Sequence, residues 1–187
     1  MSSDDQNAPA PRQDTTLITG NASQEVKDFL CHVFLEIMTS GIDGHGFALS
    51  TGRALKLREI SFVPKAEEPS RMEGRVVFEI IVDRDMANGM GSMHGGCTAY
   101  LIDVCTTLAL NAYKMSTTFE SLPSVSQSLN VVYHSPAMIG DTLRIVNKTI
   151  TVGARTMTAH CEIWNETHKR QVATGQHIKM QPSAPKL

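Results

Sequence analysis

The chain has little excess charge of either sign. Its 17 lysines and arginines stand against 19 aspartates and glutamates, a formal net charge of -2 over 187 residues. That balance gives no electrostatic case for nucleic acid or an anionic membrane as a partner. Long apolar runs are missing too, and none approaches the about 20 residues a helix needs to cross a bilayer. The four cysteines (Cys31, Cys97, Cys105, Cys161) contain no C-x-x-C pair; their scatter reads as reduced core thiols of an intracellular protein. No second His or Cys stands at metal-ligand spacing from His94, so no metal site is expected. The glycine-rich stretch that begins at Asn88 lacks the third glycine of a dinucleotide fingerprint and the Gly-Lys-Ser/Thr of a phosphate loop. The N-terminus, MSSDDQNAPAPRQD, is polar and acidic, unlike a secretory signal or an Arg-rich transit peptide. A cytoplasmic location is expected, with a mitochondrial one left open.

What is present centres on NGMGSMHGGCTAYLIDVCTTLALNAY, residues 88–113. Between Asp85 and Lys114 the only acid or base, histidine aside, is Asp103. The tail of this run is apolar on every side, which predicts a buried helix. At its start Gly95 and Gly96 carry no side chains, so the first-turn N–H groups should be open to a carbonyl or anion, favoured by the helix dipole. A lone carboxylate inside such a helix is costly to bury without a partner, which marks Asp103 as a functional candidate. The alternative is a buried Asp capping neighbouring backbone. Cys105 lies deep in the helix and reads as a small buried hydrophobe, not a nucleophile.

Elsewhere, residues 1–20 carry two prolines and no apolar periodicity, which predicts a disordered tail. Residues 21–53 should form an N-terminal helix (Ala22–Thr39, with Ser23 as cap) followed by a glycine-rich loop over Ile42–Gly52. Strand-like runs follow at Ala54–Val63 and Arg75–Val82 before the central helix, with a loop over Ser116–Pro123 after it. Four more extended runs occupy Val125–His134, Thr142–Val152, Arg155–Asn165 and Gln171–Met180. In Arg155–Asn165, Met157, Ala159, Cys161 and Ile163 alternate with Thr156, Thr158, His160 and Glu162, the pattern of a sheet with one packed and one wet face. Runs joined by short turns should be antiparallel neighbours. The fold class is α+β: an antiparallel sheet of about six strands wrapped around one long buried helix, with residues 54–181 as the main domain.

Spacing along the helix carries a further consequence. Asp103 lies eight residues beyond Gly95, about 12 Å at 1.5 Å per residue. One helix therefore cannot bring its own carboxylate to a carbonyl held at its own start. If both groups act on one substrate, the carboxylate comes from a second, antiparallel copy, and a two-fold dimer supplies it.

The residues HGGCTAYLIDVCTTLAL, with NGMGSM before and SVSQSLNVVYHSPAMIGDTL after, resemble the hotdog-fold thioesterases of the phenylacetic-acid-pathway type. Within these they are most similar to the thioesterase-superfamily-member-2-like acyl-CoA thioesterases. The similarity covers about Ala54 to Met180 and leaves the role of the N-terminal extension open. It implies a hotdog fold and hydrolysis of an acyl-CoA thioester to acid and thiol, with no cofactor beyond the coenzyme A of the substrate. Position by position, it implies that the Gly95 N–H polarises the thioester carbonyl and that Asp103 of the opposite subunit activates water or attacks directly. Ser126 would orient the water, and Asn88 and His94 would lie near the thioester and departing thiol. Gly96 is expected in the substrate-binding set, and Arg155 as a basic residue for the coenzyme A phosphates. Read singly, Ser126 is also a strand-start hydroxyl, Asn88 a turn residue and Arg155 an exposed turn arginine. The partner is thus a small acyl thioester, and the assembly a homodimer that pairs into a homotetramer. Two rival readings remain: a hotdog hydratase or dehydratase working with a His/acid pair, and a non-catalytic acyl-CoA-binding dimer.

Overall fold

The computed structural model describes residues 13–39, 46–118 and 124–182. Helix α1 (Gln24–Thr39) starts where Ser23 Oγ accepts the Val26 N–H at 3.4 Å, a side-chain cap. Val26, Leu30 and Val33 recur at helical spacing and are buried. Strands β1 (Lys56–Pro64) and β2 (Met72–Ile81) precede the central helix α3 (Gly95–Thr118), and β3 (Val125–Tyr133), β4 (Thr142–Val152), β5 (Thr156–Asn165) and β6 (Arg170–Met180) follow it. All pair antiparallel in the order β1-β2-β4-β5-β6-β3. Met157, Ala159, Cys161 and Ile163 of β5 are buried on the inner face as the alternation requires. Leu101, Ile102, Cys105 and Leu108 of α3 pack there with Phe78, Ile145 and Ile163 in one core.

Several expectations change. Residues 13–20 are no tail: a 3-10 turn spans Thr15–Leu17 and Ile18 is buried. Backbone bonding is the reason. The side chain of Gln13 brackets the Leu57 peptide groups, and Thr19 exchanges bonds with Arg58 and Ile60. Ala22 N–H donates to the Ile60 carbonyl, and the Asn21 amide brackets Phe62. The segment thereby covers the outer edge of β1. Part of the expected Ile42–Gly52 loop is helical: α2 (Leu49–Ala54) begins after Ala48 in a left-handed conformation (φ 52°); residues 40–45 and 1–12 lie outside the described residues. Helix α3 runs through Ser116 to Thr118, whose hydroxyls with that of Thr117 bond back to carbonyls of the preceding turn; residues 119–123 of the expected loop lie outside the described residues. Nor is α3 buried on every side: Gly96, Ala99, Tyr100, Asp103, Thr107 and Asn111 form a half-open stripe along it.

The largest change concerns β3. It does not neighbour β4, although only residues 134–141 join them; it lies beside β6 at the far edge of the sheet. A connection of that length containing Pro136 is not a tight hairpin, and the free backbone of β6 provides the pairing. The result carries Ser126 of β3 to Lys179 of β6, beside the middle of α3.

Candidate active site

The chain enters α3 through a hydrogen-bonded turn. Asn88 Oδ1 accepts the Met90 N–H (2.9 Å), and the Asn88 N–H donates to the Ser92 carbonyl (2.8 Å). Gly91 closes the turn at φ +76°, a conformation that favours glycine. His94 then caps the helix with its side chain: Nδ1 accepts the Gly96 N–H at 2.9 Å. This corrects the expectation of two open amides. The Gly96 N–H is taken by the protein's own imidazole, whose neutral form then carries its proton on Nε2. The Gly95 N–H has no acceptor among the described residues, while the Gly95 carbonyl accepts from Tyr133 Oη at 3.0 Å. Beside it opens a cavity of about 270 Å³ lined by Met93, Gly95, Thr98, Tyr133, Ser135 and Val172.

Two turns further along α3, Asp103 stands in a second cluster. Ser126 Oγ donates to Asp103 Oδ1 at 3.1 Å. His177 Nε2 lies 3.2 Å from the same oxygen and 2.9 Å from Ser126 Oγ. The other ring nitrogen is 2.7 Å from Thr106 Oγ1, which itself donates to the Ile102 carbonyl at 2.6 Å. Lys179 Nζ donates to Ser126 Oγ at 3.4 Å. The Asp103 side chain is 43% exposed in the protomer, whereas His177 is completely buried. Burial pushes the His177 pKa down to about 4, opposed by the Asp103 carboxylate and assisted by the Lys179 cation. Burial also lowers the Lys179 pKa, against the pull of Asp103. An open carboxylate backed by the Ser126 hydroxyl and a buried, neutral imidazole is equipped to take a proton from water.

The fold thus assembles Asp103 with Ser126, and Asn88, His94 and Gly95 around the helix start, leaving about 12 Å of helix between the two groups. Arg155 is exposed in the β4–β5 turn, its carbonyl accepting from Gln181 N–H. Sequence reasoning missed Thr106, His177 and Lys179. A signal was available for the last two: on the inner face of β6 the period-two series Ala173, Gly175, His177, Lys179 places two basic side chains at core positions. A larger cavity of about 390 Å³ lies between α1 and α2, but the thiol that lines it, Cys31, is pushed up to about 11 by burial and then by Asp28. Burial likewise raises Cys97 and Cys105, so thiol chemistry is poorly served.

Residues 90–172 match a family model described as the thioesterase superfamily. Over 123 residues the chain is 31% identical to acyl-coenzyme A thioesterase 13 of Mus musculus, covering 66% of this chain and 80% of that protein. The crystal structure of zebra fish thioesterase superfamily member 2 is similar with a TM-score of 0.62 at 26% identity, covering 81% of this chain and 94% of that one. A hypothetical thioesterase from Streptococcus pneumoniae TIGR4, crystallised with coenzyme A, shares the fold at 19% identity (TM-score 0.57, 74% and 94% covered).

Proposed function

The chain belongs to the thioesterase superfamily, and on that premise we propose that it hydrolyses acyl-coenzyme A thioesters at centres each built by two copies. The observation that carries this reading is the Asp103–Ser126 pair, held at 3.1 Å on the open stripe of α3. It lies too far along the helix to serve the Gly95 amide of its own chain.

A second copy has one evident place to dock. The outer edge of β1 is covered by residues 13–22, whereas among the described residues β3 has a partner on one side only. Its sequence, VSQSLNVVY, holds no charge and no proline, and Val132 and Tyr133 are each half exposed or more. A bare edge of that kind is a template for another strand. Two β3 edges paired antiparallel extend the sheet through a two-fold axis and bring two α3 helices alongside in opposite directions. In that arrangement Gly95 N–H polarises the thioester carbonyl, while Asp103 and Ser126 of the other subunit activate water. His94 Nε2–H is available to the departing thiol and Asn88 shapes the turn beneath it. Arg155 serves the coenzyme A phosphates. Association of two dimers into a tetramer leaves these centres unchanged. Among the described residues no helix is long and apolar enough to cross a membrane.

Of the rivals, a hydratase would use a His/acid pair, and His177 does stand beside Asp103. Its ring, however, is wholly buried and cannot meet a substrate. The test is thiol release from acyl-coenzyme A by two variants, each inactive alone. Gly95→Pro deletes the amide at a first-turn position that proline tolerates, and Asp103→Asn removes the base. Mixed one to one and reassembled at random, they should recover about a quarter of wild-type activity, since half the dimers are mixed and each has one intact centre. Mixtures as inactive as the separate variants would defeat the shared centre.

A further inference from the structure

Behind Asp103 runs a line of hydrogen-bonding groups whose protons do not add up. It leads from the Ile102 carbonyl to Thr106 Oγ1 (2.6 Å), to His177 Nδ1 (2.7 Å), from His177 Nε2 to Ser126 Oγ (2.9 Å), and on to Asp103 Oδ1 (3.1 Å). Both ends can only accept: one is a backbone carbonyl, the other an ionised carboxylate. Four links need four hydrogens, but the threonine hydroxyl, a neutral imidazole and the serine hydroxyl bring three. The 2.6 Å contact fixes the threonine hydrogen on the Ile102 carbonyl, because two bare oxygens at that distance repel. Thr106 must then accept from Nδ1–H, which leaves Nε2 without a hydrogen. That bare nitrogen faces Ser126 Oγ and, at 3.2 Å, Asp103 Oδ1. Lys179 does not fill the gap, since it donates to Ser126 from outside the line. One more proton completes every link.

We propose that the line is a proton store, in which the proton that Asp103 takes from the attacking water is shared onto His177 Nε2, with His177 and Thr106 as positioning residues. This rests on the hydrolytic reading above. In the step, a water O–H bond breaks as its oxygen bonds the thioester carbon. The proton passes to Asp103 and is shared with Nε2. The C–S bond then breaks, and the proton returns through Asp103 to the departing thiolate, so thioester and water give acid and thiol. His177 never touches substrate, being completely buried. The charged groups that face it are Asp103 on α3 and Lys179 on its own strand. Burial lowers the proton affinity of the His177 ring to about 4, so a proton placed on Nε2 is given back and not trapped. The neutral resting ring leaves the store empty before each turnover.

The test has an activity arm and a structural arm. Steady-state hydrolysis of a saturated medium-chain acyl-coenzyme A is followed from pH 5 to 9 for wild type, Asp103→Asn, His177→Gln and the near-isosteric Thr106→Val. Both positioning variants should lose about tenfold or more in kcat with KM held within about twofold, and Thr106→Val should shift the pH profile of kcat. Separately, nitrogen-15 spectra of the histidine rings of unliganded wild type at pH 7 should show His177 protonated on Nδ1 and bare on Nε2. A Thr106→Val enzyme with wild-type kcat and pH profile, beside a dead Asp103→Asn, overturns the store while leaving hydrolysis intact. A resting hydrogen on Nε2 overturns it without recourse to any variant, so a misfolded His177→Gln decides nothing by itself. Full activity in Asp103→Asn overturns the hydrolytic reading instead, and the store with it.

Discussion

Replacing Gly175 with alanine tests how the sheet aims the carboxylate of Asp103. A Cβ built on Gly175 meets Ile102 Cγ2 at 2.6 Å and Cδ1 at 3.0 Å, with the Asn130 carbonyl at 3.4 Å. The first distance is shorter than real Cβ contacts allow, so something must move. Ile102 has little room to give: it is fully buried, and a β-branched side chain in a helix keeps essentially one χ1 rotamer. Strand β6 is equally constrained, being paired on both sides by β5 and β3. The strain should cost about 1–3 kcal/mol, the range for an extra methyl in a packed core. Because Asp103 follows Ile102 directly, a shift of several tenths of an ångström in α3 should lower kcat about tenfold, since a full 1 Å misplacement can cost about 100-fold. Urea denaturation at fixed protein concentration reads the first effect and thiol release the second. Gly95→Ala is the control, since the nearest atoms its Cβ would meet are those of the Tyr133 side chain at 3.5 Å, and it should change stability by less than about 0.5 kcal/mol. Ile102→Ala alone should cost about 2–5 kcal/mol, but combined with Gly175→Ala it opens the space the methyl needs. The pair should therefore be less destabilised than the sum by at least about 1 kcal/mol. Strict additivity, or a Gly175→Ala protein of wild-type stability, would refute the close approach of β6 to α3.

Three further outcomes follow from the same geometry. His177 is held at about 4 against an ordinary 6.5, chiefly by burial, so between these values the unfolded chain takes the proton and the folded one does not. Its stabilisation is complete above pH 6.5 and lost as pH falls toward 4, at most about 3 kcal/mol; denaturation curves across that window should be flatter for His177→Gln, and equal slopes contradict the burial argument. Val132→Lys puts a charge on the bare β3 edge, so light scattering should find monomer and thiol release should vanish. A monomer that still turns over would break the shared-centre account. Asp141, buried in the loop before β4, accepts from Met138 N–H and from Asn165 Nδ2, both at 2.7 Å. Burial raises its pKa, but these bonds with His168 and Arg170 outweigh that and hold it below the usual range. Asp141→Ala should cost about 2–4 kcal/mol in urea at pH 7 by stranding those donors.

Sequence alone carried the reading furthest where structure is local. The glycine start of α3 and the alternation of β5 are periodicities within one segment, and a segment's own backbone enforces them. The 12 Å between Gly95 and Asp103 is helix geometry and needed no tertiary contact. The His94 cap on Gly96 is also local, but it depends on one rotamer, so residue order suggested an open amide where the folded turn has a closed one.

What tertiary structure decided is whatever depends on two distant edges finding each other. Strand β3 lies beside β6 and not β4 because β6 had unpaired backbone there, a fact that belongs to the whole sheet and not to residues 125–133. From that one placement comes the meeting of Ser126, His177 and Lys179 behind Asp103, four side chains from three elements. The segment 13–22 took the other edge by the same rule, since backbone donors and acceptors must be paired wherever chain covers them. Amino-acid order set the helix and its carboxylate; the pairing of strands far apart in the chain chose what stands beside that carboxylate.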